Sequence, residues 1–326
     1  MFTEVYTIEN EFIRISVIPL GATVISVFDK TFQREMTLNF DDIEKYRTSD
    51  KYFGCTIGRV ANRIAQGSFV LDQQVFQLAL NQKPHHLHGG LKGFDKKIFI
   101  CETNGNQIRC TYKSRHLEEG YPGNLEVEIS YILEDNRFLI ETISKTDQKT
   151  LVNLTNHTYF NLDEDKQSIL DHDLQVFADT VYPIDSLGCT FDQPFDVNLT
   201  PFDFRNTKKI RSAIENDHPQ IIAGRGIDHH FVKSNSGLRI IATLSNSDTA
   251  LNIYTDKPGT HIYTGNYLDG TDLGVTQQPY KKHSGICFET QYVPNSINFN
   301  ESIAPILSEN QVQRHKTIYE FIHRKR

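Results

Sequence analysis

Apolar and polar residues alternate with a period of two through much of the chain. Ile13, Ile15 and Val17 alternate with Arg14 and Ser16, while Leu125, Val127, Ile129 and Tyr131 alternate with Glu126, Glu128 and Ser130. Successive side chains of a strand face opposite ways, so this pattern predicts half-buried strands. Glu134-Asp135-Asn136-Arg137 supplies a turn before the apolar run resumes over 138–143, which predicts a hairpin. Further strands are expected over 68–71, 75–80, 107–113, 238–244, 250–254 and 317–322, most of them with Gly, Asn, Asp or Ser close by. Helical patterning is scarce. Residues 41–46 and 208–215 offer a turn or two each, without the apolar stripe an independent helix needs. No repeat, Gly/Ser linker or change of composition divides the chain. The expected fold is all-β, a single domain over residues 1–326 built as a large antiparallel β-sandwich with few short helices.

Composition narrows the function classes. A chain of 326 residues can bury a core without a disulfide or metal staple. Lys and Arg number 34 against 41 Asp and Glu, a net charge of −7, and the longest basic run is the terminal His-Arg-Lys-Arg. Such a surface repels phosphate backbones, so nucleic acid is not an expected partner. The most apolar stretch, 17–28, is broken by Pro19 and Gly21 and falls short of the roughly 20 residues of a membrane span. MFTEVYTIENEF carries acidic residues where a secretory signal needs a basic start, so a cytoplasmic location is expected. Cys55, Cys101, Cys110, Cys189 and Cys287 are odd in number and form no C-x-x-C pair, and the expectation is five reduced, buried thiols. The dinucleotide signature G-x-G-x-x-G and the P-loop are both missing from the sequence.

Five segments set ionisable groups among residues that favour burial: Gly58-Arg59-Val60-Ala61-Asn62-Arg63-Ile64, His85-His86-Leu87-His88-Gly89-Gly90, Asn156-His157-Thr158-Tyr159-Phe160-Asn161-Leu162, Gly226-Ile227-Asp228-His229-His230 and Gly285-Ile286-Cys287-Phe288-Glu289-Thr290-Gln291. Singly, each has an ordinary reading. Arg63 fits an ion-paired surface arginine, His88 a loop residue, His157 a satisfied core histidine and Asp228 a turn or cap residue. Glu289 is harder to place, because a carboxylate in so apolar a strand must be paired or functional. A metal is not expected. His86-x-His88 lacks a carboxylate a few residues on, and His229-His230 on a strand would face opposite ways.

Together, in this order, G-R-x-A-N-R-I, L-H-G-G, N-H-T-Y-F-N-L, G-I-D-H and E-T-Q resemble the aldose 1-epimerases, or galactose mutarotases. Supporting matches are Gly93-Phe94-Asp95-Lys96, Gly120-Tyr121-Pro122-Gly123, Phe202-Asp203-Phe204-Arg205 and Thr264-Gly265-Asn266-Tyr267-Leu268-Asp269-Gly270. The resemblance spans nearly the whole chain and implies a sandwich of large curved antiparallel sheets with a sugar in an open cleft. It implies interconversion of the α and β anomers of free hexoses such as galactose and glucose, without a cofactor. Glu289 would be the general base at the C1 hydroxyl and His157 the general acid at the ring oxygen, flanking one bound pyranose. Arg63, His88 and Asp228 would bind the sugar, with Asn62 assisting. Reference pKa values allow an ionised Glu289 beside a protonated His157 near neutral pH. Phe99 stands where the family commonly has a tryptophan, and is read as a packing substitution. Rival readings are a non-catalytic sugar binder or an epimerase of hexose 6-phosphates, the latter calling for extra Lys or Arg facing the cleft. Both a monomer and a homodimer are compatible with the sequence.

Overall fold

The computed structural model describes residues 4–191, 193–233, 236–275 and 277–324. Its largest sheet has nine antiparallel strands, in spatial order Ile100–Asn104, Gln107–Ser114, Leu125–Glu134, Arg137–Thr146, Val312–His323, Thr249–Thr255, Arg239–Ser245, Asp173–Val176 and Lys208–Lys209. The expected hairpin is present, with Leu125 opposite Thr146 and Glu134 opposite Arg137. A six-stranded sheet runs Tyr159–Phe160, Ile286–Gln291, Gly259–Tyr263, Asp228–Val232, Thr180–Val181 and Phe195–Asp196. A third, four-stranded sheet is formed by Tyr6–Glu9, Ile13–Ile18, Thr23–Asp29 and Arg34–Glu35. One continuous core joins the three: Ile129, Phe138 and Ile253 from the long sheet, Phe231, Ile262 and Phe288 from the six-stranded sheet, and Ile15 and Val27 from the third. This is the expected all-β sandwich.

Boundaries differ where neighbours decide them. The last strand begins at Val312 rather than 317, because Arg137–Thr146 continues to pair with it as far as Lys145 opposite Val312. The strand expected over 75–80 ends at Gln77, the length of its hairpin partner Ser68–Leu71. The first helical stretch shifts to Glu44–Thr48; the second shortens to Arg211–Ile214, because Lys208–Lys209 pairs instead as the edge strand beside Asp173–Val176. Pro219–Gly224 adds a third short helix, with Pro at its first position and the His218 side chain accepting the Gln220 N–H. No helix of the described residues is long and apolar enough to cross a membrane.

The expectation of five reduced cysteines is corrected. Cys101 and Cys110 form a disulfide, their Cα atoms 4.1 Å apart. The hairpin register sets the two residues directly opposite each other, and register is what a count of cysteines cannot reveal. Cys55, Cys189 and Cys287 are free and buried.

Candidate active site

Three neighbouring strands, Asp228–Val232, Gly259–Tyr263 and Ile286–Gln291, build the floor of a cleft of about 450 Å³. Register sets Asp228 opposite Tyr263, Tyr263 opposite Cys287, and His261 opposite both His230 and Glu289. Alternation then sends Phe231, Ile262, Ile286 and Phe288 into the core. Asp228, His261, Tyr263, Cys287 and Glu289 share the other face. The adjacent His229 and His230 point apart: His229 packs on Phe202, and His230 stacks on His261.

His157 enters from the link between Thr155–Asn156 and Tyr159–Phe160, its N–H donating to the Cys55 carbonyl. Its Nε2 lies 3.6 Å from Glu289 Oε1, with both side chains at most 5% exposed. Burial pushes the Glu289 carboxyl well above its usual range; the Asp228 charge adds to this and Arg63 opposes it. Burial likewise holds the His157 imidazolium down to about 4. An ionised Glu289 beside a protonated His157 is therefore not the resting state that reference values suggest, because desolvation disfavours both charges. A neutral carboxyl plus a neutral imidazole carries as many protons as the ion pair, so the two states differ only in where one proton sits.

One wall of the cleft is Asn62-Arg63 with His88. Asn62 and His88 both have left-handed backbones, φ +67° and +51°, and clasp each other. The Asn62 N–H donates to His88 Nδ1, and the His88 N–H to the Asn62 carbonyl, each at 3.1 Å. With Nδ1 accepting, a neutral His88 carries its proton on Nε2 and is a donor. Burial, with His157 and Arg63 nearby, keeps its imidazolium well below the ordinary value. Arg63 donates through Nε to Gln82 Oε1 at 2.7 Å. Its guanidinium lies against Gly188, where an added Cβ would stand 2.7 Å from Cζ. Only a residue without a side chain lets that loop approach so closely. Arg59, in the same motif, serves the fold instead. Buried, it donates to the carbonyls of Ser114, Arg115 and Pro122.

Asp228 accepts a 2.8 Å hydrogen bond from His261 Nε2. Burial alone would raise its pKa, but that bond and the charge of Arg63 hold it below the usual carboxylate value. Asp228 and Glu289, both buried on one sheet face, are thus driven in opposite directions. Sequence reasoning missed His261, which holds Asp228, and the cleft residues Gln82, Tyr52 and Tyr263; Tyr159 was visible only as part of the N-H-T-Y-F-N-L match. Tyr267, also on the cleft, was visible only as part of the supporting T-G-N-Y-L-D-G match.

His86 turns away from the cleft, bonded to the Ala79 carbonyl and the Tyr121 hydroxyl. The ligating atoms of His88, His157 and Glu289 lie within 4.8 Å of one another, a donor set that suits a divalent ion such as zinc. Phe99 is buried against Phe94 and Tyr112, outside the cleft lining.

Comparisons with known proteins identify the family. Residues 4–320 match the family model described as aldose 1-epimerase. The chain is 35% identical over 325 residues to the galactose mutarotase of Bos taurus, covering 98% of this chain and 94% of the relative. It is 34% identical over 313 residues to the aldose 1-epimerase of Escherichia coli K12, covering 93% and 90%. The crystal structure of a galactose 1-epimerase from Lactobacillus acidophilus NCFM superimposes with a TM-score of 0.87 at 29% identity, covering 98% of this chain and 94% of that one. A fold, a cleft and a full-length likeness converge: this chain belongs to the aldose 1-epimerase family of isomerases.

Proposed function

We propose that the chain interconverts the α and β anomers of free aldohexoses, galactose or glucose among them, with Glu289 and His157 moving the protons. The carrying observation is the 3.6 Å separation of Glu289 Oε1 from His157 Nε2 in a buried cleft. The two oxygens that must exchange protons, the C1 hydroxyl and the ring oxygen, are bonded to the same carbon. Groups serving them must therefore be close neighbours, at one edge of the pyranose rather than on opposite sides of it. At 3.6 Å the pair is too far apart for a good mutual hydrogen bond, which leaves both groups available to the sugar.

Ring opening needs no redox step. Glu289, as carboxylate, takes the proton of the C1 hydroxyl while His157, as imidazolium, gives its Nε2 proton to the ring oxygen, and the C1–O5 bond breaks to leave the aldehyde. Rotation about C1–C2 presents the other carbonyl face, and the reverse transfers close the ring as the other anomer. The pair begins and ends with the same single proton. Sugar hydroxyls and Arg63 compensate the charge separation that burial opposes in the empty site. A carboxyl with raised proton affinity is the better base near neutral pH, and each positioned transfer contributes about 10² to 10⁴ in rate. Asp228, ionised and oriented by His261, accepts from sugar hydroxyls; Arg63 and the Nε2–H of His88 donate, fixing C1 against the pair.

The cleft's charge supports an uncharged substrate. Besides the proton-holding Glu289, its acidic groups are Asp50, Asp228 and Asp269, against the cations Lys51 and Arg63. Lys51 is already engaged by Asp50 at 3.2 Å. A sugar phosphate would meet an acidic lining. Polarimetric decay of freshly dissolved α-D-galactose and α-D-glucose, with and without the protein, tests the proposal: accelerated decay is expected, and a rate equal to the spontaneous one for both sugars refutes it.

A further inference from the structure

Cys287 and Glu289 stand two residues apart on one strand, so both side chains point to the same face, and both meet His157. Glu289 Oε1 faces Nε2, and Cys287 Sγ lies 3.5 Å from Nδ1, within the range of a hydrogen bond to sulfur. The imidazole is held between them by rings of Tyr52, His88, Tyr159 and Tyr263, whose centroids lie 5.0–6.0 Å away. A single strand thus addresses both nitrogens of one imidazole.

We infer that Cys287 is a positioning residue for the proton donor: its sulfur accepts the Nδ1–H of His157, fixing that tautomer and leaving Nε2 as the one nitrogen that exchanges protons with the sugar. The inference rests on His157 being the general acid. A histidine supported at Nδ1 by a carboxylate or a carbonyl becomes more basic, which suits a proton acceptor. A thiol sulfur is only a weak acceptor. It helps hold the ring and its tautomer while adding little basicity, and burial outweighs the contact of the ring with its own backbone, so the imidazolium stays a willing donor. Burial works in the same direction, and it also pushes the Cys287 thiol well above its usual value, keeping the sulfur protonated and neutral. The thiol then has no nucleophilic role in the site.

Two measurements on the intact protein test this. In long-range ¹H–¹⁵N spectra of the native chain at neutral pH, His157 should show a protonated Nδ1. A neutral ring with a bare, pyridine-like Nδ1 and its proton on Nε2 would overturn the inference, whatever becomes of any variant. Cys287→Ala and Cys287→Ser both remove the sulfur, but only serine keeps an acceptor. The alanine variant should lose about five- to tenfold in kcat, the contribution of one ordinary hydrogen bond, with KM unchanged. The serine variant should recover to within about twofold of the native chain. Equal losses in both would mark Cys287 as packing alone and sink the idea. Native turnover in His157→Asn would instead defeat the acid assignment and leave the tautomer result standing, so the two failures are told apart.

Discussion

In the strand Leu125–Glu134, Glu126 and Glu128 recur at alternate positions between apolar residues; in Ile286–Gln291, Glu289 occupies the same kind of position. On the long sheet the outer face is open to water. Glu126 pairs with Lys113 at 3.0 Å and Glu128 with Arg109 at 2.6 Å, cross-strand contacts worth about 0–1 kcal/mol each. On the short sheet the corresponding face is covered by the segments carrying Asn62, His88 and His157. There Glu289 is 2% exposed, and its Oε2 has no hydrogen-bond partner among the described residues. The same side chain on a strand is a solvated charge in one sheet and a buried carboxyl of raised proton affinity in the other. What lies over the second face makes the difference.

Substitutions on the two sheets should separate sharply. Glu289→Gln keeps the shape but cannot take a proton; kcat should fall by about 10² to 10⁴ with an unchanged thermal unfolding profile. Wild-type rates by polarimetry in that variant would erase the contrast. His157→Asn should lose about 10²-fold, since one positioned transfer is removed. Asp228→Asn should raise KM roughly ten- to a hundredfold, the worth of charge-assisted hydrogen bonds, with a smaller change in kcat. Unchanged sugar affinity by titration would refute its binding role.

The pH dependence sharpens the same point. The active pair holds one proton. As pH falls through about 4, His157 takes a second proton and kcat/KM should drop; as pH rises past the elevated Glu289 value, the last proton leaves and it should drop again. An acid limb at the ordinary histidine value near 6.5 would mean that burial does not govern the pair. Activity should survive exhaustive dialysis against a chelator if His88, His157 and Glu289 act on sugar rather than on a bound ion. The smallest effect belongs to the long sheet: Lys113→Ala should shift stability by less than about 0.5 kcal/mol and leave kcat/KM alone.

Legibility follows the same division. Six of the nine strands of the long sheet were readable where period two survives in the sequence: 107–113 and 250–254 fall within a residue or two of Gln107–Ser114 and Thr249–Thr255, whereas the short edge strands Ile100–Asn104, Asp173–Val176 and Lys208–Lys209 were not expected. Gly259–Tyr263 is buried on both faces, which erases the alternation, and no strand was expected there. His261 was lost with it. The six candidate residues, Asn62, Arg63, His88, His157, Asp228 and Glu289, all line one cleft. They were found through motif order, since residues so far apart along the chain carry no local sign of proximity. Their protonation was misjudged for a related reason: reference pKa values describe groups in water, and the depth at which Glu289 and His157 sit is a property of the assembled sheets. The disulfide between Cys101 and Cys110 escaped notice because it depends on hairpin register.

The clasp between Asn62 and His88 has a structural corollary. Two backbone N–H groups, each satisfied by the other residue, close the intervening stretch into a loop whose ends are fastened on the cleft wall. The Ser68–Leu71 and Gln74–Gln77 hairpin hangs from that fastening, packing through Phe69 and Phe76 on Tyr121 and Leu151. Its tip at Asp72-Gln73 lies outside the cleft lining and is tied to the body of the chain by the ion pair of Asp72 with Lys149. A short peptide inserted there is expected to cost that ion pair yet leave the rate of anomer exchange unchanged, an outcome polarimetry checks.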